Sequence, residues 1–147
     1  MPNSNNDLLI TGIEGYTQEI SSLVSMMNFA RSVTVDSVIN LSPSQLDYLL
    51  DEKANSIGAL LMHIASTDFF YRILSFEKRE LTPEEDKAWA PASYLGEPAR
   101  EHIKGHSIDY YLEALINERN KVLDLLKSVN DDWLYEEMPL WDNKPAN

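Results

Sequence analysis

The chain has 147 residues, the size of one globular domain at roughly 150 residues per domain, so residues 1–147 read as a single module. Its 12 Lys and Arg stand against 24 Asp and Glu, a formal charge of −12, which repels a phosphate backbone or an anionic bilayer and argues against nucleic acid and membrane as partners. It contains no cysteine, which excludes disulfides, a thiol nucleophile and cysteine-built metal centres and fits a cytoplasmic protein.

The amino terminus lacks the basic region of a leader, and its Asn3, Asn5 and Asn6 are expected to fray. The first long helical pattern starts near Thr17 and sets Ile20, Leu23, Val24, Met27, Ala30, Thr34 and Val38 at three- and four-residue steps, predicting an amphipathic helix that ends by Asn40. Ser42, Pro43 and Gln45 then supply an N-cap, a proline at the first helical position and a capping-box glutamine for a short helix ending near Leu50. Asn55 or Ser56 caps the second long helix, which carries Ile57, Leu60, Leu61, Ile64, Tyr71 and Leu74 on one side and Met62, Phe69 and Ile73 on the other. Such a helix belongs at the centre of a bundle or at a subunit contact. Its most apolar stretch, residues 57–65, is far shorter than the roughly 20 residues of a membrane span, which predicts a soluble protein.

Pro83, Pro91, Pro98, Gly96 and Gly105 break the next 30 or so residues into pieces, one of them a short helix over 98–104. A connector this long can recross a helix of about 30 Å, so the second and third long helices are expected to run parallel. The third opens at Ser107 and repeats Ile108, Tyr111, Leu112, Leu115, Val122 and Leu126. Asn130, Asp131 and Asp132 start a last short turn through Trp133, Leu134 and Tyr135. A bundle of this length normally closes with a fourth helix, so either another subunit fills that face or the chain is incomplete at its carboxyl end.

Candidate chemistry is sparse. Glycines at 12, 15, 58, 96 and 105 make neither of the two common phosphate-cradling loops. His63 sits within the second long helix beside Ala59, Leu60, Thr67 and Phe70, either as a core histidine satisfied by a hydroxyl or carbonyl or as a metal ligand. His102 and His106 have the spacing of a helical metal pair, but Gly105 between them reads as a helix-ending position that points the rings apart. Asp68 and Arg72, four residues apart, read either as a catalytic acid with an anion-binding guanidinium or, more in keeping with an apolar helix, as pairing with each other or with a facing helix; residues 84–86, like Glu136 and Glu137, read as solvated acidic runs. Trp89, Trp133 and Trp141 read either as lining a pocket mouth or, as is commoner, as anchors pinning connectors to the bundle. Ser66 near His63 has no strand-turn-helix context for a nucleophile.

Residues 16–31, Leu41-Ser42-Pro43-Ser44-Gln45-Leu46, Asn55-Ser56-Ile57-Gly58-Ala59-Leu60-Leu61-Met62-His63-Ile64-Ala65, residues 105–112 and residues 133–141 together resemble the DinB-like (damage-inducible) superfamily. The resemblance covers nearly the whole chain and implies an all-α, up-down-down-up four-helix bundle that forms a homodimer. It also implies a divalent metal, zinc or nickel, held by three histidines. The ligand on the second helix matches His63; the other two form a His-x-x-x-His pair on a fourth helix that is missing from this chain, for which residues 143–147 look like the lead-in. The activity implied is metal-dependent, thiol S-transferase or hydrolase chemistry on a small molecule, with the thiol supplied by a cosubstrate. The alternative is a non-catalytic, stress-associated dimer that binds a metal or small ligand.

Overall fold

The computed structural model describes residues 10–139 together with 145 and 146. Among them are six α-helices: α1 (Gln18–Val38), α2 (Pro43–Leu46), α3 (Ile57–Arg72), α4 (Pro83–Tyr94), α5 (Gly96–His102) and α6 (Ile108–Leu126). A π-helical segment, Ile73–Glu77, continues α3, and a 3-10 turn, Asp131–Tyr135, follows α6. Beyond these, β1 (Met138–Pro139) pairs antiparallel with β2 (Pro145–Ala146), Met138 opposite Ala146. The architecture is all-α, as the periodicities imply. Asn3, Asn5, Asn6 and Trp141 lie outside the described residues, as do Asn143, Lys144 and Asn147 of the expected lead-in to a fourth helix; Pro145 and Ala146 of that stretch form β2.

The chain divides into two compact units, Met1–Ile39 with Leu123–Asn147, and Asn40–Val122. In the first, Ile20, Val24 and Leu126 are buried, each such side chain contributing roughly 1.5–3 kcal/mol. The start of α1 is capped from far along the chain. Asp131 accepts the Thr17 hydroxyl and the backbone N–H groups of Glu19 and Ile20, the last two at 3.0 and 3.1 Å. A carboxylate there satisfies orphan donors and faces the positive end of the helix dipole, and the Thr17 hydroxyl bond leads the causes that hold the Asp131 carboxyl below its usual range. Tyr135 donates to Glu19 at 2.6 Å and Tyr16 to the Leu123 carbonyl at 3.3 Å. Farther along α1, Met26, Phe29 and Val33, which lie beside the predicted apolar face, form a stripe that stays roughly half exposed, whereas Ile20, Val24 and Val38 of that face are buried.

In the second unit, Ser42 and Gln45 make the expected capping box on α2. The helix stops at Leu46 instead of near Leu50, because Asp47 turns its carboxylate to the Gly105 N–H at 2.7 Å and Leu49 and Leu50 stay exposed. Of the two candidate caps for α3, Ser56 serves, accepting the Ala59 N–H at 3.1 Å. The helix buries Ala59, Leu61, Ala65, Ser66 and Phe69, while Ile57, Leu60 and Tyr71 are exposed; it is therefore not enclosed on every face. With the π-helical segment it runs unbroken over Ile57–Glu77, long and apolar enough to cross a membrane by length and composition alone. Its buried side and its ion-paired Asp68 are those of a core helix.

The long connector is helical rather than loose. Thr82 and Glu85 form a capping box on α4 with Pro83 at its first position, and Pro91 is accommodated inside the helix. Glu85, expected on a solvated run, also takes a bidentate fork from Arg79 at 2.7 and 2.9 Å. α4 packs against α3, with Trp89 stacked on Phe69 at 5.1 Å between ring centroids, the anchor expected of that tryptophan. Two contacts set the direction of α6. Tyr111 meets Gly58, and Arg119 forks onto Asp68 at 3.0 and 3.1 Å. Since partners ascend together along both helices, α3 and α6 run parallel, as the connector length predicts.

Two outcomes follow from this packing. A Cβ at position 58 would lie 2.6 Å from the Tyr111 hydroxyl oxygen, so Gly58→Ala is expected to destabilise by about 1–3 kcal/mol despite alanine's better helix propensity; a rise in the denaturation midpoint would contradict the close approach. The Arg79 fork brings the Glu85 carboxyl down to about 2 from 4.5. Its stabilisation is therefore present above the unfolded value and lost as the pH falls from about 4.5 toward 2. Thermal midpoints of the native chain and Glu85→Gln, measured across that window, should converge at the acid end; a constant gap would refute the coupling.

Candidate functional site

The feature that most resembles a working site is the imidazole of His63. α4 ends at Tyr94, and Leu95 leaves the helix at φ 57°, so the carbonyls of its last turn have no helical partners. The natural donor to the Ala92 carbonyl would be the Gly96 N–H, four residues on. That group instead donates to the Asn55 side-chain oxygen at 2.9 Å. The Ala92 carbonyl is thus free for His63, whose Nδ1 lies 2.8 Å away. A carbonyl can only accept, so Nδ1 carries the proton and, in the neutral ring, Nε2 keeps its lone pair. Among the described residues Nε2 has no hydrogen-bond partner. The side chain is partly buried, and its own backbone carbonyl accepts the Ser66 and Thr67 hydroxyls at 2.9 and 2.8 Å, which accounts for Ser66 as a structural residue.

This arrangement joins both readings of His63 left open by the sequence. A carbonyl satisfies the ring, as in a core histidine, and the same bond orients it as the outer partner of a ligating histidine does. Among the described residues no group of three or more His, Cys, Asp or Glu side chains is placed to hold a metal. His102 ends α5, whereas His106 lies beyond Gly105 and stacks on Tyr110 with ring centroids 3.9 Å apart. Neither joins His63. One oriented donor is what the described residues contribute, and by themselves they do not fit a three-histidine centre.

Asp68, Arg72, Glu118 and Arg119 on α3 and α6 are each held in an ion pair. Asp68 pairs with the facing helix through Arg119, the two side chains 12 and 15 % exposed. Arg72 goes elsewhere, to Glu77 at 3.0 Å, with its guanidinium 5.3 Å from the centroid of the Phe69 ring. Glu118 was not singled out by periodicity, yet it occupies the buried stripe of α6 with Tyr111 and Leu115 and is only 6 % exposed. Lys121 holds one of its oxygens at 2.6 Å, and the other has no hydrogen-bond partner. Its position four residues before Val122 and three after Leu115 was the available signal. Asn55 was singled out as a possible cap; its role in freeing the Ala92 carbonyl depends on a residue 41 positions away.

No curated protein matches the chain. Residues 26–145 match the model of the DinB superfamily, most of the chain and both of the helices that hold His63 and its carbonyl partner, and the protein belongs to that superfamily.

Proposed function

We propose that this DinB-superfamily protein is a divalent-metal-dependent enzyme acting on a small molecule by thiol S-transferase or hydrolase chemistry, with His63 as one metal ligand. The observation that carries the reading is the Ala92 carbonyl on Nδ1, which leaves Nε2 with a lone pair and no partner among the described residues. Zinc or nickel, when bound, would lower the pKa of a thiol or of water. This chain's part is to present Nε2 in one tautomer and orientation. With no cysteine in the sequence, a thiol nucleophile comes from a cosubstrate. A cytoplasmic homodimer is part of the proposal; the half-exposed Met26, Phe29 and Val33 stripe on α1 is a surface of the kind that supports self-association.

A second reading, a non-catalytic dimer that binds a metal or small ligand, is favoured by the lack of a three-donor group among the described residues. Elemental analysis of untagged protein from its natural reading frame separates the two, using His63→Ala and His63→Asn. Asparagine can keep a side-chain N–H on the Ala92 carbonyl while removing the Nε2 donor. The enzyme reading expects near-stoichiometric zinc or nickel in the native protein and its loss in both variants, with His63→Asn remaining folded, and thiol- or water-dependent turnover that follows the metal. Protein without metal in all three forms would make His63 a core histidine; metal without turnover would leave the binding role.

A further inference from the structure

The corner between α4 and α5 leaves its helix one residue earlier than the local sequence asks. Gly96 is the residue offered for closing α4, because glycine takes a positive φ without a clash. With Leu95 still helical and Gly96 left-handed, the Gly96 N–H would return to the carbonyl four residues back, that of Ala92, in the ordinary left-handed helix cap. Gly96 does have a positive φ of 65°, but the chain has already departed at Leu95, with φ 57° and ψ −152°. For a leucine this is an unfavourable backbone, at the edge of a region that glycine almost alone occupies. The chain thus adopts the more strained of two endings, and what separates them is the Ala92 carbonyl. One ending closes it on Gly96; the other leaves it to His63 Nδ1 at 2.8 Å.

Strain of this kind persists only where surrounding groups hold it, and two of them stand out. Asn55 comes directly before Ser56, the cap of α3, and its side-chain oxygen accepts the Gly96 N–H at 2.9 Å. Arg100 reaches back to the same stretch of chain, its Nη1 donating to the Lys53 and Ala54 carbonyls, each at 3.3 Å. α5 spans only Gly96–His102, so a tie at its first residue and another in its last turn fix its direction against the residues that lead into α3, the helix of His63.

We infer that Asn55 and Arg100 are positioning residues for His63: together they hold the α4–α5 corner in its strained ending, which keeps the Ala92 carbonyl open to Nδ1 and leaves Nε2 as the unprotonated nitrogen. Without them the corner relaxes to the Gly96 cap, both helices survive, and the imidazole loses the acceptor that selects its tautomer. The inference deepens the proposed role of His63 and rests on it for its purpose, while the corner itself is defined by the chain alone.

NMR on metal-free protein tests it. In the native chain, scalar coupling across the hydrogen bond should connect the Gly96 nitrogen with the side-chain carbonyl carbon of Asn55. Asn55→Ala should move that coupling to the backbone carbonyl carbon of Ala92 and lower the ratio of Nδ1–H to Nε2–H in His63 about tenfold, the order of one neutral hydrogen bond. Arg100→Ala should shift the ratio in the same direction. Asn55→Asp, which keeps an acceptor oxygen, should restore it, and Leu95→Gly, which removes the backbone penalty of the strained ending, should recover part of it in the Asn55→Ala background. A coupling from Gly96 to Ala92 in the native chain would overturn the inference and can be read even if no variant folds; so would an unchanged His63 tautomer in folded Asn55→Ala. Because the samples are metal-free, these results stand whether or not elemental analysis finds zinc or nickel, which separates failure of the clamp from failure of the metal-ligand reading.

Discussion

The hydrogen bond from His63 to the Ala92 carbonyl depends on how α4 ends, and much of the second unit is arranged around that ending. A left-handed Leu95 stops the helix, Asn55 takes the Gly96 N–H, and the carbonyl that would have been spent inside α4 is left to the imidazole. The stacking of Trp89 on Phe69 holds the two helices together one turn earlier in α4. Each of these groups is ordinary; together they decide which ring nitrogen carries the proton. The tautomer is thereby a property of the fold rather than of the histidine.

The frame that carries this bond is made rigid by polar links placed inside an apolar packing. Arg119 forks onto Asp68 between α3 and α6, and a missing side chain at Gly58 lets the Tyr111 ring meet α3 directly. Removing one member of a largely buried ion pair leaves the other charge uncompensated, which makes such a pair a strong constraint on how two helices register. In the first unit the same economy appears at the start of α1, where Asp131 does the capping that the local sequence leaves undone.

What the sequence revealed and what it concealed divide along chain distance. The capping box of Ser42 and Gln45, the cap at Ser56 and the start of α6 depend on neighbours within a few residues, and all were legible; the short helix expected over 98–104 with Gly105 closing it runs instead over Gly96–His102 with Ile103 as its C-cap, so Gly105 lies past its end. The parallel course of α3 and α6 was legible too, from connector length alone. Hidden were the contacts that join distant segments: Asp131 on the head of α1, Asn55 on Gly96, Asp47 on Gly105. Asp47 also explains why α2 is shorter than its pattern, since a tertiary partner for its carboxylate outweighs weak propensity in a four-residue helix. The prolines of the connector suggested interruption, yet Pro83 sits at a first helical position and Pro91 within α4, where only one backbone donor is forfeited. For the candidate site, His63 could be picked out as the polar residue of interest on an apolar helix. Its carbonyl partner, 29 residues away, could not.

The role of His63 turns on one proton. Long-range nitrogen–proton correlation NMR on metal-free protein, at a pH where the imidazole is neutral, reads the tautomer of His63 directly. The expected result is a protonated Nδ1 and an unprotonated Nε2. An Nε2–H tautomer, or rapid averaging between the two, would show that the Ala92 carbonyl does not hold the ring and would remove the basis for His63 as an oriented donor.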